Sequence, residues 1–326
     1  MTRHQVESYE AARWRGLSWY GITQGSRSVM LWGSPIELSK QAQLKNRLKE
    51  SLLKNRRILS AYNLTEQDLT KHVRFLEHYR PEYLYGYATI LTAFAQMLEN
   101  AHITPNLSLK AVVSTSETLE KWQEELLSRV FRCPVANEYG ARDAGILAYT
   151  CPDGGIHITA ENCVIEVLDP VTHEPVPDGT SGILAITDLT NYVQPHLRYL
   201  LGDMGTLSPA SCPCGRNLPL LTHIDGREDD LLIGSNGTLV HGNVIGQLLR
   251  PLDGLRAFQF RQHDAQNATL YLVKSEQNGL PDENLIRGLL AKALPDVTVN
   301  ITCVSQIQPT ASGKMRYAIR ECALPR

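Results

Sequence analysis

Four short segments hold the side chains that could do chemistry. Pro309-Thr310-Ala311-Ser312-Gly313-Lys314 is a run of small residues whose only charge is the lysine. A point charge on a long stem suits a phosphate or carboxylate undergoing reaction, although a surface Gly-Lys turn would look the same. Ile224-Asp225-Gly226-Arg227-Glu228-Asp229-Asp230 sets an arginine before an acidic cluster. Its planar fork could clamp the phosphate and hydroxyl groups of a nucleotide, and a charged interdomain linker is the plain alternative. In Arg198-Tyr199-Leu200-Leu201-Gly202-Asp203 a carboxylate follows glycine, where it could accept both hydroxyls of a ribose or simply cap a turn. Asn137-Glu138-Tyr139-Gly140-Ala141-Arg142-Asp143 offers a ring to stack on a base. Its Asp143 could hold Mg²⁺ through oxygen, yet in isolation the segment is an ordinary strand-to-loop sequence.

The cysteines add a second chemistry. Cys212-Pro213-Cys214-Gly215 is a tight thiol pair, and Cys151 and His157 flank the turn Asp153-Gly154-Gly155. Three thiolates and one imidazole make a closed tetrahedral Zn²⁺ site, and a site with no open position is structural. The C-x-C spacing is shorter than the common C-x₂-C, and the alternative is four unrelated polar residues at turns. Cys133, Cys163, Cys303 and Cys322 stand in apolar strand or tail contexts and are expected to be packing residues. Seven scattered cysteines are an odd number, which predicts a reducing cytoplasm rather than a disulfide framework.

The elements that must position these residues change in texture along the chain. Up to about residue 146, apolar strands alternate with helices. Ser28–Trp32 and Lys110–Ser114 read as strands, and Glu117–Arg129 as a helix. A helix starts after Thr65 and Asp68, and another carries Ile90, Leu91, Phe94 and Leu98. The alternation predicts a mostly parallel sheet with ligands at the strand ends. Leu44, Leu48 and Leu52 share a helical face, while Lys45, Lys49, Lys54, Arg56 and Arg57 lie on the other. Without interleaved aromatics that basic face reads as solvated rather than as a nucleic-acid patch. From 147 to 229 short strands (Ile156–Ile158, Val164–Leu168, Ile183–Thr187) and tight turns predict an antiparallel, barrel-like submodule carrying the zinc ligands. From 230 to 326, strands at Ala257–Arg261, Thr269–Val273 and Val297–Val304 and helices at Val244–Leu249 and Glu283–Leu290 predict a small α+β lobe. The fold class is therefore α/β, with a large domain over 1–229 and a mobile C-terminal lobe over 230–326.

Composition removes several function classes. The 326 residues are 43 % hydrophobic and 20 % charged, which suits two or three folded domains and not a disordered chain. Thirty-two basic residues against 34 acidic ones leave a net charge of −2, so no bulk attraction to nucleic acid or membrane follows. No apolar run approaches the ~18 residues of a membrane span, and the opening MTRHQVESYE has no apolar core and is not read as a signal peptide.

Taken in order, Tyr139-Gly140 with Asp143, Arg198-Tyr199 with Gly202-Asp203, Gly226-Arg227 with Asp230, and Pro309 with Gly313-Lys314 resemble the adenylate-forming superfamily of acyl-CoA synthetases. Gly86, Ser114-Thr115-Ser116-Glu117 and Arg142 narrow the resemblance to the phenylacetate–CoA ligase branch and its CapK-like proteins, over nearly the whole chain. The resemblance implies an ATP or AMP site at Ser116, Glu117, Tyr139, Gly140, Asp203 and Arg227. Tyr139 would stack on adenine, Asp203 would hold the ribose diol and Arg227 would contact ribose and phosphate. Asp143 would hold Mg²⁺, where the family usually has glutamate. Asp230 would be the hinge, Lys314 would reach the α-phosphate during adenylation, and the acyl group would lie near Tyr85-Gly86-Tyr87. The implied activity is ATP-dependent activation of a small carboxylic acid and transfer to coenzyme A. A CoA-independent acyl ligase and a zinc-stabilised nucleotide- or partner-binding remnant are the alternatives. The family's Ser/Thr/Gly-rich phosphate loop is not found in these residues, so the chain is expected to be a fragment, a misplaced start or a shortened paralogue. A homodimer is an option for its assembly.

Overall fold

The computed structural model describes residues 2–32, 50–51, 54–60, 68–141, 143–234, 238–275, 279–295, 297–308 and 316–322. The elements run α1 Arg3–Ser18, β1 Ser28–Trp32, β2 Arg56–Ser60, α2 Leu69–Tyr79, β3 Tyr83–Tyr87, α3 Ala88–Asn100, β4 Ala111–Thr115, α4 Lys121–Phe131, β5 Val135–Ala141 and β6 Gly145–Thr150. There follow β7 Ile156–Ile158, β8 Cys163–Leu168, β9 Ser181–Asp188, β10 Tyr199–Leu207 and β11 Leu220–Arg227. After a 3-10 turn at Glu228–Asp230 come β12 Leu231–Ile233, β13 Leu239–His241, α5 Asn243–Leu249, β14 Leu255–Gln262, β15 Asn267–Lys274, α6 Glu283–Ala293, β16 Thr298–Cys303 and β17 Ala318–Arg320.

The strands up to Arg227 form one 11-stranded sheet in the order β2-β1-β3-β4-β5-β6-β7-β11-β10-β9-β8. β2 to β5 are parallel, as the strand–helix alternation predicts. From β6 onward every pairing is antiparallel. The short-stranded segment therefore continues the parallel sheet through the β5–β6 pair. Burial follows the layering: β4 is buried at every position, and one face packs Leu84, Leu91, Phe94 and Leu127 under α2, α3 and α4. The other face is closed by α1 and an aromatic cluster of Tyr20, Trp32, Tyr85 and Tyr149.

α1 went unread in the sequence because its apolar positions are few. Thr2 caps it by accepting from the Gln5 N–H at 3.1 Å. It lies so close to β6 that a Cβ at Gly16 would run into the Tyr149 ring. α4 starts at Lys121 rather than Glu117. Ser116 has φ +66°, which interrupts the chain, and the Gln123 side chain accepts from the Glu120 N–H at 3.0 Å to cap the later start.

Past Asp230, β16-β15-β14-β17 form a second sheet. Phe260, Leu270, Leu272, Ile286 and Leu290 pack a core of their own beside it. Among the described residues no helix is long and apolar enough to cross a membrane. All seven cysteines are free. Cys133 and Cys163 are buried as expected, with burial pushing both thiols up to about 12. Cys303 is not a packing residue: it is exposed, at the end of edge strand β16.

Candidate nucleotide site and metal cluster

A cleft of about 680 Å³ opens where the parallel strands end, between the large sheet and the C-terminal lobe. Ser116–Thr118 after β4, Asn137–Ala141 of β5, Asp143, Asp203 of β10 and Arg227 of β11 line one side. Gly242 and Arg316–Ala318 of the lobe line the other. The carboxyl ends of parallel strands are where open α/β sheets bind ligands.

At its centre, strand pairing joins motifs that are distant in sequence. Asp203 and Arg227 are direct partners across the β10–β11 ladder. Arg227 Nη1 donates to Asp203 Oδ1 at 3.0 Å and to the Leu201 carbonyl at 2.9 Å. Tyr139 Oη donates to the other carboxylate oxygen, Asp203 Oδ2, at 2.8 Å. Tyr139 is 9 % exposed. Burial, and then the Asp203 charge, raise its phenol well above the ordinary value, so it stays a donor. Gly202 has φ +72°, and a Cβ there would stand 2.9 Å from Arg227 Nη2. Gly140 is required by the sheet, because a Cβ would meet the Gly145 carbonyl at 2.6 Å.

The remaining predicted residues are placed differently. Glu117 Oε2 accepts from the Thr89 N–H at 2.8 Å and its hydroxyl at 2.7 Å, so this carboxylate caps the N-terminus of α3 at the cleft wall. Ser116 is exposed beside it. Asp143 is exposed in the β5–β6 turn and lines the cleft. Mg²⁺ commonly takes one or two carboxylates and completes its shell with phosphate and water. Asp230 Oδ1 accepts from Arg316 Nη2 at 2.6 Å and Nε at 3.1 Å, which ties the junction to the segment before β17. Thr89 lines the cleft, and none of Tyr85, Gly86 or Tyr87 does. Lys314 with the rest of Pro309–Lys314, Arg142, Thr65 and the run of Leu44, Leu48 and Leu52 lie outside the described residues.

Behind the cleft floor is a network that the sequence did not disclose. Glu138, 1 % exposed, accepts from Tyr85 Oη at 2.6 Å, Thr115 Oγ1 at 3.3 Å, and Arg13 Nε and Nη2 at 3.2 and 3.4 Å. Burial works to lower the Arg13 guanidinium, and the surrounding groups together, Glu138 foremost among them with Tyr85, Tyr9 and Glu10, outweigh it and raise it. The pair is 125 residues apart in the chain. Only its alternation on β5, opposite in face to Tyr139, could have hinted at it.

Cys151, His157, Cys212 and Cys214 converge as predicted, with all ligand atoms within 4.8 Å of one another. Among the described residues this is the one group of three or more such side chains able to share an ion. Cys151 Sγ lies 3.6 Å from Cys212 Sγ, and Cys214 Sγ lies 3.2 Å from His157 Nε2. Tetrahedral Zn²⁺ with ~2.3 Å thiolate bonds has sulfur–sulfur edges of about 3.8 Å, so the donor set and spacing fit. Burial, then Arg216 and Arg15, lower the His157 imidazole and keep it neutral, as a ligand must be. A Cβ at Gly155 would be 2.7 Å from Cys212 Sγ, so the turn must be glycine for the thiol to approach.

Residues 232–321 match the family described as the CapK C-terminal domain. Over 313 residues the chain is 24 % identical to protein CapK of Staphylococcus aureus, covering 92 % of this chain and 66 % of that protein. It is 31 % identical over 281 residues to the phenylacetate–coenzyme A ligase of Thermus thermophilus, covering 76 % and 62 %. The chain thus spans about two thirds of the length of these curated relatives. A crystal structure of 2-hydroxyisobutyryl-CoA ligase in its postadenylation state superposes with a TM-score of 0.73 at 17 % identity, covering 98 % of this chain and 71 % of that one. The fold is that of the adenylate-forming ligases. In sequence the chain is similar to CapK and to the phenylacetate–CoA ligases over most of its length.

Proposed function

We propose that the cleft binds the adenosine half of ATP and that the chain takes part in activating a small carboxylic acid as its acyl-adenylate. The observation that carries this is the convergence of Tyr139, Asp203 and Arg227 at the strand ends. A substrate carboxylate oxygen attacks the α-phosphorus and pyrophosphate leaves. A thiol, coenzyme A by analogy with the relatives, then attacks the acyl carbon and AMP leaves. Such a displacement needs positioning and charge neutralisation more than a titrating base. The Tyr139 ring stacks on the base, with Ser116-Glu117 on its other side. Asp203 accepts from the ribose hydroxyls and Arg227 donates to ribose and phosphate oxygens. Asp143 is the residue that would hold Mg²⁺, which supplies charge neutralisation at the phosphates, and Lys314 would add its cation there. Residues 230–326 act as a lobe hinged at Asp230, and the cysteine–histidine cluster holds a structural Zn²⁺.

The test is AMP binding by calorimetry beside ATP–pyrophosphate exchange with a panel of aryl and fatty acids. The Ser/Thr/Gly-rich phosphate loop that the resemblance leads us to expect ahead of Gly86 is not recognised in these residues, so this polypeptide alone should bind AMP and exchange poorly. Brisk exchange would show that another segment holds the β- and γ-phosphates. Absence of AMP binding would overturn the nucleotide reading and favour a partner-binding role.

A further inference from the structure

The Tyr139 hydroxyl has a job distinct from that of its ring. Asp203 Oδ2 is held by Tyr139 Oη at 2.8 Å and Oδ1 by Arg227 Nη1 at 3.0 Å. A carboxylate oxygen can accept two hydrogen bonds, so each keeps one acceptor direction beyond its fixed partner. Two donors from two different strands leave the carboxyl group little freedom to rotate. Its side chain is 17 % exposed, and Asp203 faces the cleft. The two anchors are held differently, the tyrosine by burial and the half-exposed arginine by a further hydrogen bond. Tyr139 is buried on β5, and Arg227 is bonded to the Leu201 carbonyl at 2.9 Å over a glycine that leaves its guanidinium room.

We propose that Tyr139, through its hydroxyl, is a positioning residue that sets Asp203 in advance as an acceptor for a vicinal diol, so that the cleft selects ribonucleotides over nucleotides lacking those hydroxyls. This rests on the nucleotide reading above and adds to it a specificity mechanism. Pre-setting the carboxylate removes the cost of ordering it when the ligand arrives, and that gain is available only to ligands with hydroxyls to donate.

The test compares AMP with 2′,3′-dideoxy-AMP on the wild type and on Tyr139→Phe, by calorimetry. The phenylalanine keeps the ring, its burial and any stacking, and removes only the donor. AMP binding should weaken about tenfold while 2′,3′-dideoxy-AMP binding is unchanged, so discrimination between the two collapses. Circular dichroism and thermal unfolding of the variant report that it is folded. Equal weakening of both nucleotides would mean that the hydroxyl acts on the site as a whole, and no change in either would mean that it does nothing for Asp203. Both results overturn the inference and leave the nucleotide site standing. If the wild type binds neither nucleotide, the functional reading falls and this inference with it.

Discussion

Replacing Arg13 by methionine isolates the buried pair behind the cleft. Methionine keeps an unbranched apolar stem in the same space, so the change is chiefly one of charge and donors. Glu138 would keep Tyr85 Oη at 2.6 Å and Thr115 Oγ1 at 3.3 Å and lose the two guanidinium contacts at 3.2 and 3.4 Å. Removing one partner of a buried ion pair costs about 3–5 kcal/mol. The two retained hydroxyls, and the 17 % exposure of the Arg13 side chain, place the expected cost near the low end of that range, at about 3 kcal/mol. At about 2–4 °C per kcal/mol for a domain of this size, the thermal midpoint should fall by roughly 6–12 °C. Glu138→Gln alone should cost less, because Arg13 keeps Glu10 and Tyr9 as partners. The double variant should be more stable than Arg13→Met, with a coupling of about 2 kcal/mol. The assay is thermal unfolding followed by near-ultraviolet circular dichroism, repeated in high salt, which should change little for so buried a pair. A fall of under a degree or two in Arg13→Met, or strict additivity in the double variant, would refute the reasoning.

Chelator-free purification should yield one Zn²⁺ per chain by elemental analysis, and Cys212→Ser should lose the metal and several kcal/mol of stability; well under one metal per chain in the wild type would remove the site. Arg250 lies 5.3 Å from the Trp122 ring of α4 and 4.5 Å from Tyr317 of the lobe, with Glu120 at 3.8 Å, so Arg250→Ala should speed proteolysis at the junction after Arg227; equal cleavage rates would show that these contacts do not hold the lobe. Burial raises the Tyr85, Tyr139 and Tyr149 phenols well above the ordinary value. Their unfolded counterparts ionise first, so stability is intact below about pH 10 and falls above it by up to about 1.4 kcal/mol per tyrosine per pH unit; a flat stability profile through that range would contradict the burial.

The convergence of Tyr139, Asp203 and Arg227 at the proposed nucleotide site was legible because their residue types are unusual neighbours in sequence. Gly202-Asp203 and Gly226-Arg227 each announce themselves locally, and the β10–β11 register then brings them together. The clustering of Cys151, His157, Cys212 and Cys214 was legible for the same reason, as pairs on turns. Glu138 was not, although it sits inside a quoted motif, because its partners come from α1, β3 and β4 and no spacing encodes them. Glu117 illustrates a different limit. Its segment was expected beside the base, and its carboxylate caps α3, since the start of that helix, 28 residues back in the chain, offers it the Thr89 N–H and hydroxyl as donors. The strand read at Lys110–Ser114 lies one residue further on, at Ala111–Thr115, where every position is buried. α1 was missed because it is amphipathic only weakly, and its place is set by Gly16 against Tyr149 rather than by an apolar stripe.

That placement of α1 has a consequence for how the chain acquires its structure. α1 contacts β6 and, through Arg13, β5, more than a hundred residues further along. Its docking surface does not exist until the parallel strands have paired and the chain has turned back antiparallel after Ala141. A helix of 16 residues is marginal alone in water, so this segment should remain fluctuating while the sheet assembles and dock late. Contacts of such long sequence separation slow folding. The aromatic face that α1 covers is exposed during that interval, and it is where a partly assembled chain would stick to others.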